Sequence, residues 1–480
     1  MLFNSGRFLA FFGVVYLVYL PLPHRAQNVL LLAASYVFYA SWDWRFCALL
    51  VFSTLLNYVA ALGIERTRGQ ARTPRLIFWA TVAANLGVLA FFKYHDFFAQ
   101  PLAALLGSLG LGGSLPVLGV VLPVGLSFYT FQAMSYTIDV YRQRFPATRR
   151  LDDFALFVGF FPLLMAGPIE RAGKLLRQIA MPRAVTVDLV LQGSWLVFWG
   201  LFKKVFIADN LAIHSRWSFV EGNLGTGPLV YLASLTFAVQ MYCDFSGYCD
   251  MARGLAKVMG IDLSLNFRLP FSATNPTEFW ARWHITLRDW FRDYVYGPLR
   301  NRLMDLGLPR EPAIALTIVV TMALVGLWHG PNWTFVCWGA IWGLAMVAHR
   351  LLRPLLAAAA ASPRLDRALR VLGTFATVNL FFVAMPFILA PSVRQAFGNW
   401  GLLAQGWTGA NLVAAGPIAL TLAYFTWPLV LVQALQYATR DLEPLGRLPF
   451  ALRLPIYVAL VFLLLVGGAT RGEQFLYFLF

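Results

Sequence analysis

Long apolar runs recur along the whole chain, separated by short basic clusters and by glycine or proline. A helix of roughly 20 apolar residues crosses the ~30 Å hydrocarbon layer, and fewer suffice where protein covers a broken one. Runs of that kind fall near 8–22, 28–44, 46–64, 76–93, 116–140, 186–205, 227–243, 312–328, 332–349, 369–390, 417–438 and 453–468. The pattern predicts an all-α integral membrane protein. One multi-span domain covers 1–480, with about 11–13 membrane helices counting short and re-entrant ones. Its N-terminal spans occupy 1–150, a core 151–350 and C-terminal spans 351–480.

Charge orients the spans. The loop with Arg66, Arg68, Arg72 and Arg75 and the loop with Arg142, Arg144, Arg149 and Arg150 are expected on the cytoplasmic side. Residues 96–115 carry no Lys or Arg and are expected outside. Two spans separate the basic loops, so the assignments agree. The segment FALFVGFFPLLMAGPIE, 154–170, is apolar with basic residues on both flanks, so both of its ends favour the same side. Pro162, Gly167 and Pro168 break its helix, which predicts a re-entrant element lining a chamber; a short tilted helix is the plainer alternative.

The charged stretch 253–310 interrupts this regime and reads as a cytoplasmic or interfacial insertion. Asn275 suits a helix cap, Pro276 the first helical position, and Glu278 a carboxylate that reaches back to a free amide. At about 100° per residue, a helix over 275–293 gathers Trp280, Trp283, His284, Leu287 and Phe291 on one side. Glu278, Arg282, Asp289, Arg292 and Asp293 fall on the other.

Composition agrees with a bilayer protein: 59% of residues are hydrophobic and 12% charged, where soluble domains carry about a quarter charged residues. The formal charge of +16 lies in separate loop clusters rather than on one face. That argues against nucleic acid as a partner and for membrane lipid. Cys47, Cys243, Cys249 and Cys337 have neither zinc-ligand nor CxxC spacing and read as packing residues. Arg7 precedes the first apolar run and no small-residue cleavage site follows, so an uncleaved first span is expected.

Candidate chemistry concentrates in 271–342, where His284 and His329 stand among seven tryptophans. His329 closes the run AIALTIVVTMALVGLW and precedes Gly330 and Pro331, which end the helix. A charge at such depth costs roughly 2.5 kcal/mol or more, so an ionisable side chain there faces a cavity or a partner. A desolvated, neutral imidazole suits a general base acting on a hydroxyl that attacks an acyl thioester. The plainer reading is a histidine bonded to a neighbouring helix. His284 orients a substrate or the other imidazole, or packs among the tryptophans.

Lesser candidates surround this pair. Asp244 in YCDFSG reads as a ligand for a substrate hydroxyl or as a turn former. Trp283, Asn332 and Trp333 flank the histidines as possible substrate contacts, and the last two are placed to fix the bend after His329. Lys203 and Lys204 read as ligands for phosphate or, more simply, as snorkelling to headgroups. No bound cofactor and no metal site is expected. A transporter that makes no bonds is the rival class; it requires basic loops and a re-entrant segment, but no imidazole base.

The run QMYCDFSGYCDMARGLAKVMGIDLSLNFRLPFSATNPTEFWARWHITLRDWFRDYVYGPL, followed by GLWHGPNWTFVCWG, resembles the signature of the membrane-bound O-acyltransferase family. Within it the chain most resembles the bacterial alginate O-acetyltransferase branch. SYVFYASWDWRF, NLGVLAFFKYHDFF, LPVGLSFYTFQAMSYTIDVYR, FFPLLMAGPIER and FWGLFKKVFIADNLA resemble blocks of that branch in the same order. The likeness covers 30–345; after Arg350 it lies in hydropathy and in the aromatic end FLYFLF. Cys243 and Cys249 depart from the DFSGYSD-like pattern.

The resemblance implies a helical bundle around a central tunnel. His329 takes the place of the family's essential intramembrane histidine and His284 that of its second signature polar residue. It implies a cytoplasmic donor, acetyl-CoA, whose acetyl group crosses the bacterial inner membrane to a periplasmic partner acetyltransferase and an exported polysaccharide such as alginate. Within the family, the competing reading is a D-alanyl exporter fed by a carrier-protein thioester.

Overall fold

The computed structural model describes residues 1–110, 119, 121–219, 225–469 and 475–476. All regular structure among them is helical. Among the described residues, seven stretches are long and apolar enough to cross a membrane: His24–Arg66, Thr73–Ala99, Arg310–His329, Trp333–Ala359, Pro363–Leu389, Gly409–Thr439 and Phe450–Gly467. The first holds two of the predicted spans, His24–Asp43 and Cys47–Arg66, joined by a 3-10 turn in which the Asp43 carboxylate accepts from the Arg45 amide. Other predicted runs form shorter helices, Gly6–Tyr19, Leu126–Tyr141 and Val187–Phe202. The run 227–243 opens the 32-residue helix Gly227–Val258. Of the predicted exterior loop 96–115, most is helix, His95–Ser108, and 111–115 lie outside the described residues. So do 116–118 and 120 of the fifth predicted span and 477–480 of the aromatic end.

The chain forms two compact units. The first comprises Met1–Val197 and Met251–Ser264. Its helix Leu126–Tyr141 is buried on nearly every face and packs on Cys47–Arg66 and Thr73–Leu89, as a helix without a polar side must. The polar groups inside pair with one another: Asn57 donates to Asn85 at 3.1 Å and accepts from Thr137 Oγ1 at 2.8 Å. The predicted re-entrant element is buried from 154 to 170 and broken twice. Leu151–Gly159 stops at Phe160, and the short helix Phe161–Leu164 ends before Gly167. Pro162 sits in the first turn, where its missing amide loses no helical bond. A Cβ at Gly167 would stand 2.5 Å from Leu163 Cα.

The second unit comprises Phe198–Asp250 and Leu265–Phe480. Its frame is the antiparallel pair Arg310–His329 and Trp333–Ala359. At Gly326 and Gly339 a Cβ would fall 2.0 Å from the carbonyl oxygens of Phe335 and Met322, and at Gly343 it would fall 2.8 Å from Val319 Cα. Small residues let the two backbones touch, and close packing then holds a pair that hydrophobicity alone does not drive together in lipid. The turn is equally tight: a Cβ on Gly330 would meet the Phe335 ring at 2.3 Å. Asn332 caps the second helix by accepting from the Thr334 amide at 3.0 Å, and its amide nitrogen donates to the Pro391 carbonyl at 3.1 Å.

Candidate active site

The site is built inside the second unit, where the turn of the hairpin meets the segment 265–291. His329 is the last residue of its helix, and its Nε2 is buried. His284 is fully buried, with its ring centroid 6.4 Å from that of His329. Aromatic rings enclose the pair. Phe245 packs on His284 at 4.7 Å and Trp328 at 5.9 Å, while Trp338 stands edge-on to His329 at 5.5 Å. Burial first, and then the nearness of His329, hold the His284 ring well below the ordinary histidine range, so it is neutral at physiological pH.

The chain reaches His284 differently from the helix predicted over 275–293. The cap is as expected: Asn275 accepts from the Glu278 amide at 2.9 Å, though Glu278 reaches back one residue further, to the amide and hydroxyl of Thr274. Pro276–Arg282 then stops, Trp283 is extended, and His284 adopts a left-handed conformation with φ 44° before Ile285–Phe291 begins. Asn266 enforces the break. Its carbonyl accepts from the Ile285 amide at 3.0 Å, its side-chain oxygen accepts from the Thr286 amide and hydroxyl, and Arg268 N donates to Arg282 O at 2.9 Å. A non-glycine residue with positive φ stores of order 1 kcal/mol or more and persists only where its surroundings fix it. Trp280, Trp283, Leu287 and Phe291 are nevertheless all buried with His284, as the helical pattern required.

The other candidates separate. Trp283 lies in the aromatic wall, 5.0 Å from Phe267 and 4.8 Å from Phe381. Asn332 fixes the turn, whereas Trp333 is 55% exposed, and it is Trp338 that packs on His329. Asp244 forms no turn. It sits within the helix Gly227–Val258, 2% exposed, with one carboxylate oxygen 2.7 Å from Lys204 Nζ and the other accepting from the Leu476 amide at 2.7 Å. Both oxygens are thus engaged within the protein, which leaves no ready place for a substrate hydroxyl.

The lysines do not snorkel. Lys204 also pairs with Asp209 at 2.8 Å, and Lys203 pairs with Asp250 at 2.7 Å and Ser246 at 2.9 Å. The backbone over Lys203–Ala208 is a π-helix, and both lysines are buried. Asp244 precedes Phe245, so this cluster anchors the stretch of helix that presses on His284. Sequence reasoning missed Asn266 and this pairing. Their only signal was two adjacent lysines at the end of an apolar run.

The described frame is thus helical, with a half-buried imidazole at the turn of a helix pair and a fully buried one beside it. The profile of the membrane-bound O-acyltransferases matches residues 142–392. The chain belongs to this family, as a multi-pass membrane O-acyltransferase. It is 40% identical over 434 residues to the probable alginate O-acetylase AlgI of Azotobacter vinelandii, spanning 88% of this chain and 83% of the relative. Identity to the probable alginate O-acetylase AlgI of Pseudomonas aeruginosa is 39% over 432 residues, 88% and 80% of the two chains. Identity to the peptidoglycan O-acetyltransferase of Helicobacter pylori is 35% over 383 residues, 73% and 70%.

Proposed function

We propose that this O-acyltransferase carries acetyl groups from cytoplasmic acetyl-CoA through the bacterial inner membrane for O-acetylation of an exported polysaccharide, alginate or a similar glycan. The observation that carries the reading is the imidazole pair, 6.4 Å apart and enclosed by aromatic rings. His329 is the general base: it takes the proton of the acceptor hydroxyl as that oxygen attacks the thioester carbonyl. The last turn of a helix favours positive charge, which stabilises the imidazolium as it forms. His284, held neutral, positions the substrate or its partner ring and adds no competing charge.

Direction follows from the hairpin. Its open end carries the Glu311–Arg350 pair at 2.8 Å and adjoins basic residues, the cytoplasmic signature. Twenty helical residues rise about 30 Å, so His329 lies far from that end. The acetyl group passes His329 through a tunnel and is handed to a periplasmic acetyltransferase partner. Similarity to relatives named for acetyl transfer supports acetyl over D-alanyl as cargo. The test is acetyl analysis of the exported glycans with and without the gene. Loss of ester-linked acetate is expected; an unchanged acetyl content overturns the proposal.

A further inference from the structure

The aromatic wall beside His329 contains hydrogen-bond donors that the protein itself leaves unused. Trp280, Trp338 and Trp342 are 3%, 2% and 0% exposed, and no group among the described residues accepts from their indole N–H. A buried donor left unmet loses the hydrogen bond that water gave it, and buried tryptophans ordinarily find an acceptor. Here three fail to do so in one cluster. Trp280 stands edge-on to Trp338 at 5.7 Å and to Trp342 at 5.5 Å, and Trp338 stands edge-on to His329 at 5.5 Å. Trp338 comes from the helix that follows His329, Trp280 from the short helix that leads to His284.

Acyl transfer needs donors at this place. When a hydroxyl adds to a thioester, the carbonyl oxygen becomes an oxyanion, and fixed donors in a water-poor site stabilise it far more than they would in water. We propose that the indole N–H of Trp338, backed by that of Trp280, receives the thioester carbonyl oxygen beside His329 and holds the oxyanion formed on it. This rests on the acyl-transfer reading above. As His329 takes the hydroxyl proton, the hydroxyl oxygen bonds to the carbonyl carbon and the carbonyl π pair moves onto the oxygen facing the indoles. When that pair returns, the C–S bond breaks and the thiolate leaves with the proton from the imidazolium. Nothing is oxidised or reduced. Trp342, stacked on Phe279 at 4.9 Å, lies two rings from the imidazole and supports Trp280.

The experiment uses the full chain in lipid nanodiscs with labelled acetyl-CoA and an alginate oligosaccharide as the hydroxyl acceptor, following thiol release. Trp338 is replaced by phenylalanine and, separately, by benzothienylalanine, whose bicyclic ring carries sulfur in place of N–H. A purely structural role survives the second replacement. The expected result is a fall in kcat of roughly 10²–10³ for both variants, with KM for acetyl-CoA within about threefold. A benzothienylalanine variant that keeps kcat within about tenfold, or loses activity through KM alone, overturns the assignment. No thiol release from the unaltered protein overturns the acetyl-CoA reading as well. Release that is lost in His329→Gln but kept in the benzothienylalanine variant removes the indole role alone.

Discussion

His284 carries two burdens at once, a left-handed backbone and full burial of a titratable ring. Its folded pKa lies below the unfolded value of about 6.5. The unfolded chain therefore binds the proton more readily, so the stability this residue lends is complete above pH ~6.5 and drains away as pH falls toward the folded pKa. Thermal unfolding in detergent should show the wild type losing stability between pH 7.5 and 5.5 more steeply than His284→Asn. Equal slopes would mean that the ring is not the titrating group. Lys204 makes a second residue-scale prediction. Lys204→Met strands Asp209 and Asp244 in a buried site, a loss of about 3–5 kcal/mol by denaturation, whereas replacing all three by apolar residues recovers most of it. His329 stood out in the sequence as an ionisable residue closing an apolar run, and His284 as a histidine on the apolar side of a charged segment. The lysine pairs were not, because Lys204 and Asp244 meet only when two distant helices pack.

Among the elements, the hairpin of Arg310–His329 and Trp333–Ala359 sets the position of His329 and depends on glycine where the backbones cross. Gly339→Ala puts a methyl 2.0 Å from the Met322 carbonyl oxygen. It should lower stability by about 1–3 kcal/mol and lower transfer with it. Gly416→Ala, in a helix with nothing within 4 Å of the new carbon, should instead gain up to about 1 kcal/mol from helix propensity. Melting temperatures of the two variants in one detergent decide this, and similar shifts would contradict the packing account. Helix starts were readable from sequence: Asn275, Pro276 and Glu278 take the capping roles their order suggests, since caps are local. The break at Trp283 and His284 was not, because Asn266 imposes it from outside the helix. Burial survived the break, which is why the apolar face was right although the helix was not continuous.

For the whole molecule, hydropathy identified a multi-pass helical protein, and residues 142–392 match the membrane-bound O-acyltransferase family. Hydropathy divides the chain less reliably than it detects it: some predicted spans are half of a longer helix, and others are helices of 14 or 16 residues. Sidedness follows from charge. Single cysteines placed at 300–310 should react with impermeant reagents only from the cytoplasmic side, and labelling from outside intact cells would reverse the direction proposed for the acetyl group. The most direct test of the base is transfer from labelled acetyl-CoA by purified wild type and His329→Gln in nanodiscs, at matched melting temperature. The account predicts that the variant loses transfer by roughly 10²-fold or more. Transfer at the wild-type rate would contradict it.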